Sequence, residues 1–225
     1  MVNIKICGLM KEEDVNLCVN SGVNIVGFVV EYPVPVPWNL DVLEARELIS
    51  TTPAQVKTCV VTGGTIDKVL QIAKETSPDI IQLHYKENLE ETVQIAKELK
   101  QLGIETIKAL RINDRGFCDF EISDPAMAAR ELSKTGITAI LVDTYTNAMP
   151  GGTGMNVNFH TFHKVKDNST LPVILAGGLN PVNIIDILSK TNPDAVDVLT
   201  GVEQSPGYKE KEKIEQFVNK IRLGR

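Results

Sequence analysis

A cysteine and an aspartate end two apolar runs that lie far apart in the chain. Cys7 closes the run Asn3–Cys7 and is followed by Gly8, and Asp143 directly follows Ala139–Val142. A thiolate and a protonated carboxyl facing one small substrate make a general base and general acid pair. Each needs a tuned environment, because the thiol must ionise and the carboxyl must keep its proton. Taken alone, Cys7 also suits a core position, whereas an acid ending an apolar strand seldom serves packing, although it can cap the next loop. Glycines form the second constellation. AGGL at 176–179 and LTGVE at 199–203 each follow or close an apolar run. Glycine lets a backbone come close to an anion, and free N–H groups there donate to its oxygens. Gly177, Gly178, Thr200 and Gly201 are therefore candidate phosphate ligands. GGTG at 151–154 lies beyond Asp143 and reads as a loop able to close over a ligand, with Gly152 and Gly154 as candidate substrate contacts.

To act together, these residues need a scaffold that brings the ends of distant strands to one place. Short β-branched runs alternate along the chain with segments of helical period. The runs are Asn3–Cys7, Ile25–Val30, Val56–Val61, Ile80–Leu83, Thr106–Ile112, Ala139–Val142, Val173–Leu175 and Ala195–Leu199. Helices are expected over 11–20, 40–50, 65–76, 89–102, 124–134, 159–165, 181–189 and 210–221, with Gly22, Gly103 and Gly136 as stop signals and Pro181 at a start. Near-continuous apolar runs suit parallel strands buried on both faces. Eight such units are the arithmetic of a (β/α)8 TIM barrel, an α/β fold, here a single domain over residues 1–225. A doubly wound sheet would need a glycine fingerprint after the first strand, and ICGLMKEED has one glycine. In the barrel, active sites lie at the C-terminal ends of the strands, and loops seven and eight form a recurring phosphate site. The polar groups expected at that face include Cys7, Lys57, His84, Arg111 and Asp143, with the glycine pairs. His84 reads equally as a mouth residue or a packed histidine. His160 and His163 read as surface, and KEKEK at 209–213 as a solvated helix start.

Composition narrows the partners. With 23 Lys+Arg against 29 Asp+Glu the net charge is −6, and 43% of the 225 residues are hydrophobic. This excludes a disordered chain and argues against nucleic acid as a partner, which requires a basic patch. Cys7, Cys18, Cys59 and Cys118 form no CxxC pair and have no histidine at zinc-ligand spacing, so no metal is expected. No apolar run is long enough to span a membrane, and the amino terminus has no signal-peptide core. A cytoplasmic protein with reduced thiols is expected.

KICGL at 5–9, GFVV at 27–30, IQLH at 81–84, LVDT at 141–144, GGTG at 151–154, LAGGL at 175–179 and VDVLTGVEQSPGYKEKEKI at 196–214 occur in order across nearly the whole chain. As a set they resemble the phosphoribosylanthranilate isomerase family. The resemblance implies a single-domain barrel without cofactor or metal, acting as a monomer or homodimer on a small phosphorylated sugar in tryptophan biosynthesis. It implies an Amadori rearrangement with Cys7 as general base and Asp143 as general acid. The phosphate would rest on Gly177, Gly178, Thr200 and Gly201, and Asp197 would face a substrate hydroxyl or serve the structure. Serine commonly stands at the Thr200 position in the family. One departure bears on substrate. The family carries a serine–proline–arginine stretch after its second strand, and that arginine faces the anthranilate carboxylate. Here the segment reads EYPVPVPWNL and has no Lys or Arg between Gly27 and Arg46, which lies in the expected second helix. Tyr85 also replaces a favoured glycine. Arg115, in the fifth loop, is the candidate substitute cation. A second reading stays open at this stage: a paralogue that isomerises or binds a different phosphorylated sugar.

Overall fold

The apolar runs become parallel strands in the computed structural model, which describes residues 2–144 and 159–224. They are Asn3–Ile6 (β1), Ile25–Val30 (β2), Lys57–Thr62 (β3), Ile80–Leu83 (β4), Glu105–Ile112 (β5), Ala139–Thr144 (β6), Val173–Leu175 (β7) and Ala195–Val198 (β8). Each pairs with its neighbour in chain order, and β1 pairs with both β2 and β8, so the sheet closes into a barrel. The helices are Glu12–Asn20 (α1), Val42–Thr51 (α2), Ile66–Thr76 (α3), Leu89–Gln101 (α4), Pro125–Leu132 (α5), Phe159–Asn168 (α6), Ile184–Thr191 (α7) and Lys211–Leu223 (α8). The expected (β/α)8 fold is what forms.

Strand alternation sorts the side chains into two cores. Ile4 and Ile6, Val26 and Phe28, Leu110 and Ile112 face outward onto the helices. Cys7, Val29, Cys59, Val61, Ile107, Ala109, Leu141 and Ala176 fill the barrel interior. Several helices begin where local chemistry says they should. Asp41 and Glu44 form a reciprocal capping box at α2, Asn88 and Glu91 do so at α4, and Asp124 caps α5 ahead of Pro125.

Four local expectations are corrected. Helix α7 starts at Ile184, not Pro181, because the Asn180 side chain accepts from Val182 N and Asn183 N and holds residues 181–183 in a turn. Lys57 opens β3, so it sits at the opposite end of the barrel from the candidate site, paired with Glu105 at 2.5 Å. Lys209 is not solvated. Glu203–Ser205 and Tyr208–Lys209 form a small antiparallel hairpin, and the Lys209 ammonium is buried 2.9 Å from Glu203. His163 is half-buried and not fully at the surface, its Nε2 lying 2.8 Å from the Lys190 carbonyl.

The proline segment is braced at both ends. Strand β2 ends where Glu31 turns through a left-handed φ of 42°, its carbonyl held by Lys68 Nζ at 2.6 Å. Asn39 and Leu40 then return to pair with Val29 and Val30. Among the described residues no helix is long and apolar enough to cross a membrane.

Candidate active site

Three layers of polar chemistry occupy the C-terminal mouth. The deepest is an ion pair. Lys5 and Asp197 are level on adjacent strands β1 and β8, and the lysine Nζ lies 2.7 Å from Asp197 Oδ2 with none of its surface exposed. Burial is the largest single influence and would lower the Lys5 pKa, but the Asp197 carboxylate and the nearby Cys7 and Cys59 sulfurs together outweigh it, and the net direction is up. The lysine is therefore a fixed positive charge.

Cys7 is next, one turn of the pleat above Lys5 on the same face of β1. Burial pushes its thiol pKa up, and Asp197 adds to that, while Lys5 and Lys209 pull it down. A glycine makes room for the sulfur. A Cβ on Gly27 of β2 would lie 2.9 Å from Cys7 Sγ, inside any real contact distance. Across the mouth stands Asp143. Its Oδ2 is 3.4 Å from His84 Nε2, and His84 Nδ1 is 3.0 Å from Gln82 Nε2. An amide nitrogen only donates, so Nδ1 accepts and the ring proton sits on Nε2, facing Asp143. The Cys59 thiol lies 4.0 Å from Gln82 Oε1, which suits that amide orientation.

The third layer is glycine backbone. Gly177 and Gly178 take left-handed φ values of 91° and 64°, and the Gly178 carbonyl is pinned by the Asn183 side chain at 2.9 Å. Thr200 and Gly201 begin a short 3-10 turn. A Cβ on Gly201 would fall 1.8 Å from the Leu179 carbonyl oxygen, so the two loops are seated directly on one another. Gly201→Ala must force them apart. Overpacking of this kind costs about 1–3 kcal/mol. Thermal unfolding should register that loss as a lowered midpoint.

One cleft joins these layers. It encloses about 780 Å³ including its open mouth, and its lining contains Cys7, His84, Asp143, Gly177, Gly178, Asp197, Thr200 and Gly201. Those eight sequence candidates are brought together. Arg115 is not among the lining residues. It sits exposed in the turn after β5, its own N–H bonded to Asn113 Oδ1 at 3.0 Å. Gly152 and Gly154 lie outside the described residues. Among the described residues no three His, Cys, Asp or Glu side chains converge as a metal site.

The remaining wall is aromatic and comes largely from the loop after β2. Tyr32, Val36 and Trp38 line the cleft. The Tyr32 hydroxyl donates to the His84 carbonyl at 2.8 Å, and burial pushes its pKa up to about 12. Trp38 Nε1 donates to Glu203 Oε1 at 2.8 Å, the same oxygen that holds Lys209. Lys5, Gln82 and this Trp38–Glu203–Lys209 network were not singled out from sequence. A signal existed for Lys5, since a lysine inside an apolar strand, two residues before Cys7, needs a buried partner.

The profile of the N-(5'-phosphoribosyl)anthranilate (PRA) isomerase family matches residues 4–220 of this geometry's chain. The chain belongs to that family. A curated relative, the N-(5'-phosphoribosyl)anthranilate isomerase of Methanopyrus kandleri, is 34% identical over 221 residues, 97% of each chain. The phosphoribosyl anthranilate isomerase of Thermotoga maritima superposes with a TM-score of 0.82 at 31% identity, over 99% of this chain and all of that one. A further phosphoribosyl anthranilate isomerase structure contains reduced 1-(o-carboxyphenylamino)-1-deoxyribulose 5-phosphate. It aligns with a TM-score of 0.78 at 30% identity, again over 99% of this chain and all of that one.

Proposed function

We propose that this family member is an N-(5'-phosphoribosyl)anthranilate isomerase of tryptophan biosynthesis, an aldose–ketose isomerase working by acid–base chemistry on its own side chains. The observation that carries the reading is the shared cleft: a thiol and a carboxyl face each other across a space whose far end is glycine backbone. Phosphate at Gly177, Gly178, Thr200 and Gly201 would place the ribose between Cys7 and Asp143.

The steps follow from that placement. Asp143 donates its proton to the furanose ring oxygen while the anilino nitrogen lone pair forms a C1=N bond, and the C1–O bond breaks. The carboxylate left behind faces the Nε2–H of His84, a donor already in place to receive it. The Cys7 thiolate then removes the proton on C2, and the electron pair neutralises the iminium to give an enolamine. Tautomerisation yields the ketone. Lys5 stabilises the thiolate from below. Among the described residues Asp197 Oδ1 is buried without a partner, and it belongs to the cleft lining, so it accepts from a sugar hydroxyl.

The test uses freshly formed phosphoribosylanthranilate, whose fluorescence disappears on turnover. The purified protein should remove the signal far faster than the uncatalysed blank. Decay at the blank rate, together with binding of other sugar phosphates, would overturn the reading in favour of a paralogue.

A further inference from the structure

We propose that Lys209 is a positioning residue for the general base: from outside the cleft its ammonium fixes the Leu199 carbonyl, and the Leu199 side chain in turn seats the Gly8 backbone that follows Cys7. The inference rests on the isomerase reading and deepens it, naming what holds the thiol of that site in place.

Lys209 carries a charge where no water reaches it. Its side chain has none of its surface exposed, and it is not among the residues that line the cleft. Taking an ammonium out of water is costly, and a well-packed apolar pair would serve a small hairpin as well. Its partner Glu203 stands opposite it on the hairpin, 2.9 Å away. The same glutamate oxygen also accepts from the Trp38 indole N–H and from Gly207 N. The ammonium has a second acceptor, the Leu199 carbonyl, at 3.2 Å.

Leu199 joins that bond to the chemistry. It lines the cleft and directly precedes the Thr200–Gly201 turn. Its side chain reaches back to the end of β1, where a Cβ on Gly8 would lie 3.0 Å from Leu199 Cγ. Gly8 follows Cys7 with a left-handed φ of 71°, so the backbone that carries the thiol turns directly against Leu199. The hairpin is anchored away from the cleft. Lys213 Nζ donates to the Glu203 carbonyl at 2.7 Å, and the Lys209 backbone bonds the Asp14 carboxylate in α1. The tether therefore runs from a fixed hairpin, through one carbonyl, to the base.

The charge itself reaches the sulfur. Around Cys7 stand Lys5 on its own strand, Asp197 on β8 and Cys59 on β3, with His84 of β4 and Asp143 of β6 in the lining of the same cleft. Lys209 acts with Lys5 in favouring the thiolate, against burial and Asp197.

The test uses two variants assayed with phosphoribosylanthranilate. Lys209→Met should lower kcat about 10- to 100-fold, the scale of one hydrogen bond to a charged group, with KM within about twofold of the parent value. A loss confined to kcat marks an arrangement that matters after binding. In the same variant, alkylation of Cys7, followed by peptide mass spectrometry, should shift to higher pH, because a cation that favours the thiolate is gone. Lys209→Met also leaves Glu203 buried without its cation, which can loosen the hairpin. The double variant Glu203→Gln/Lys209→Met removes both charges and keeps an amide oxygen for Trp38 Nε1. It should regain thermal stability and still show the low kcat. A double variant with the parental kcat would make the pair structural only, and a rise in KM at unchanged kcat would assign Lys209 to binding. Either result overturns the inference, as does an unshifted alkylation profile. An unmodified protein that does not turn over phosphoribosylanthranilate would instead overturn the isomerase reading. The alkylation profile would then still report on Lys209, so the two failures are distinct.

Discussion

Cys7→Ser is expected to lower kcat about 10³-fold while leaving phosphate binding intact. General-base catalysis is worth about 10²–10⁴-fold, and a serine hydroxyl at this position has no base beside it to take its proton. The neighbours of Cys7 are a cation, Lys5, and that cation's partner, Asp197. Such a setting stabilises a thiolate already formed but cannot deprotonate an alcohol. The sign of the pH dependence follows. The Cys7 pKa is raised by burial, so the thiolate fraction, and with it kcat/KM, should climb as pH rises toward that raised value. Lys5→Met removes the principal charge pulling the pKa down, and it should move this limb to still higher pH. Steady-state pH profiles, with the pH dependence of thiol alkylation as a second probe, check both. A flat profile between neutral pH and pH 9 in the unmodified protein would remove Cys7 as the base.

Asp143→Asn should cost about 10²- to 10⁴-fold in kcat, because an amide has no proton to give the ring oxygen. The substitution is close to isosteric, and an Asn Oδ1 can still accept from His84 Nε2, so the mouth should keep its shape. Single-turnover measurements would separate the steps: the variant should bind substrate with little change and stall before ring opening. Cys7→Ser should stall after it. The double variant should lose less than the product of the two single losses, since consecutive steps do not slow a reaction multiplicatively. Equal turnover in Asp143→Asn and the parent would place the acid elsewhere.

The barrel was readable because its strands are buried on both faces. Such strands are mostly apolar and β-branched, with the few buried polar residues held by partners, and eight repeats of the pattern point to one closed architecture. Cys7 and Asp143 were readable for a related reason: each is a reactive group on the inward parity of a strand end. What failed was whatever depends on partners distant in sequence. Lys209 sits in a run of charges that looks solvated, and only Glu203 across the hairpin explains its burial. Pro181 looks like a helix start, but Asn180 captures the next two N–H groups first. Gln82 belongs to the site through Cys59 on one side and His84 on the other, contacts that no local pattern announces. Arg115 lies in the turn at Asn113–Gly116, past the end of β5, and faces water, so the cation expected there is not brought to the cleft.

The bond from Trp38 to Glu203 ties the proline loop to the segment that follows the Thr200–Gly201 turn, and Lys209 and Lys213 hold that glutamate from the other side. A ligand thus meets walls that are already ordered, and little of its affinity goes into immobilising them. Pro33, Pro35 and Pro37 restrict the same segment along its backbone. Loosening this brace, as in Trp38→Phe, would therefore leave the reacting groups untouched and make binding more entropically demanding. The cost would appear in calorimetry as a more unfavourable binding entropy, in a region where no catalytic atom had changed.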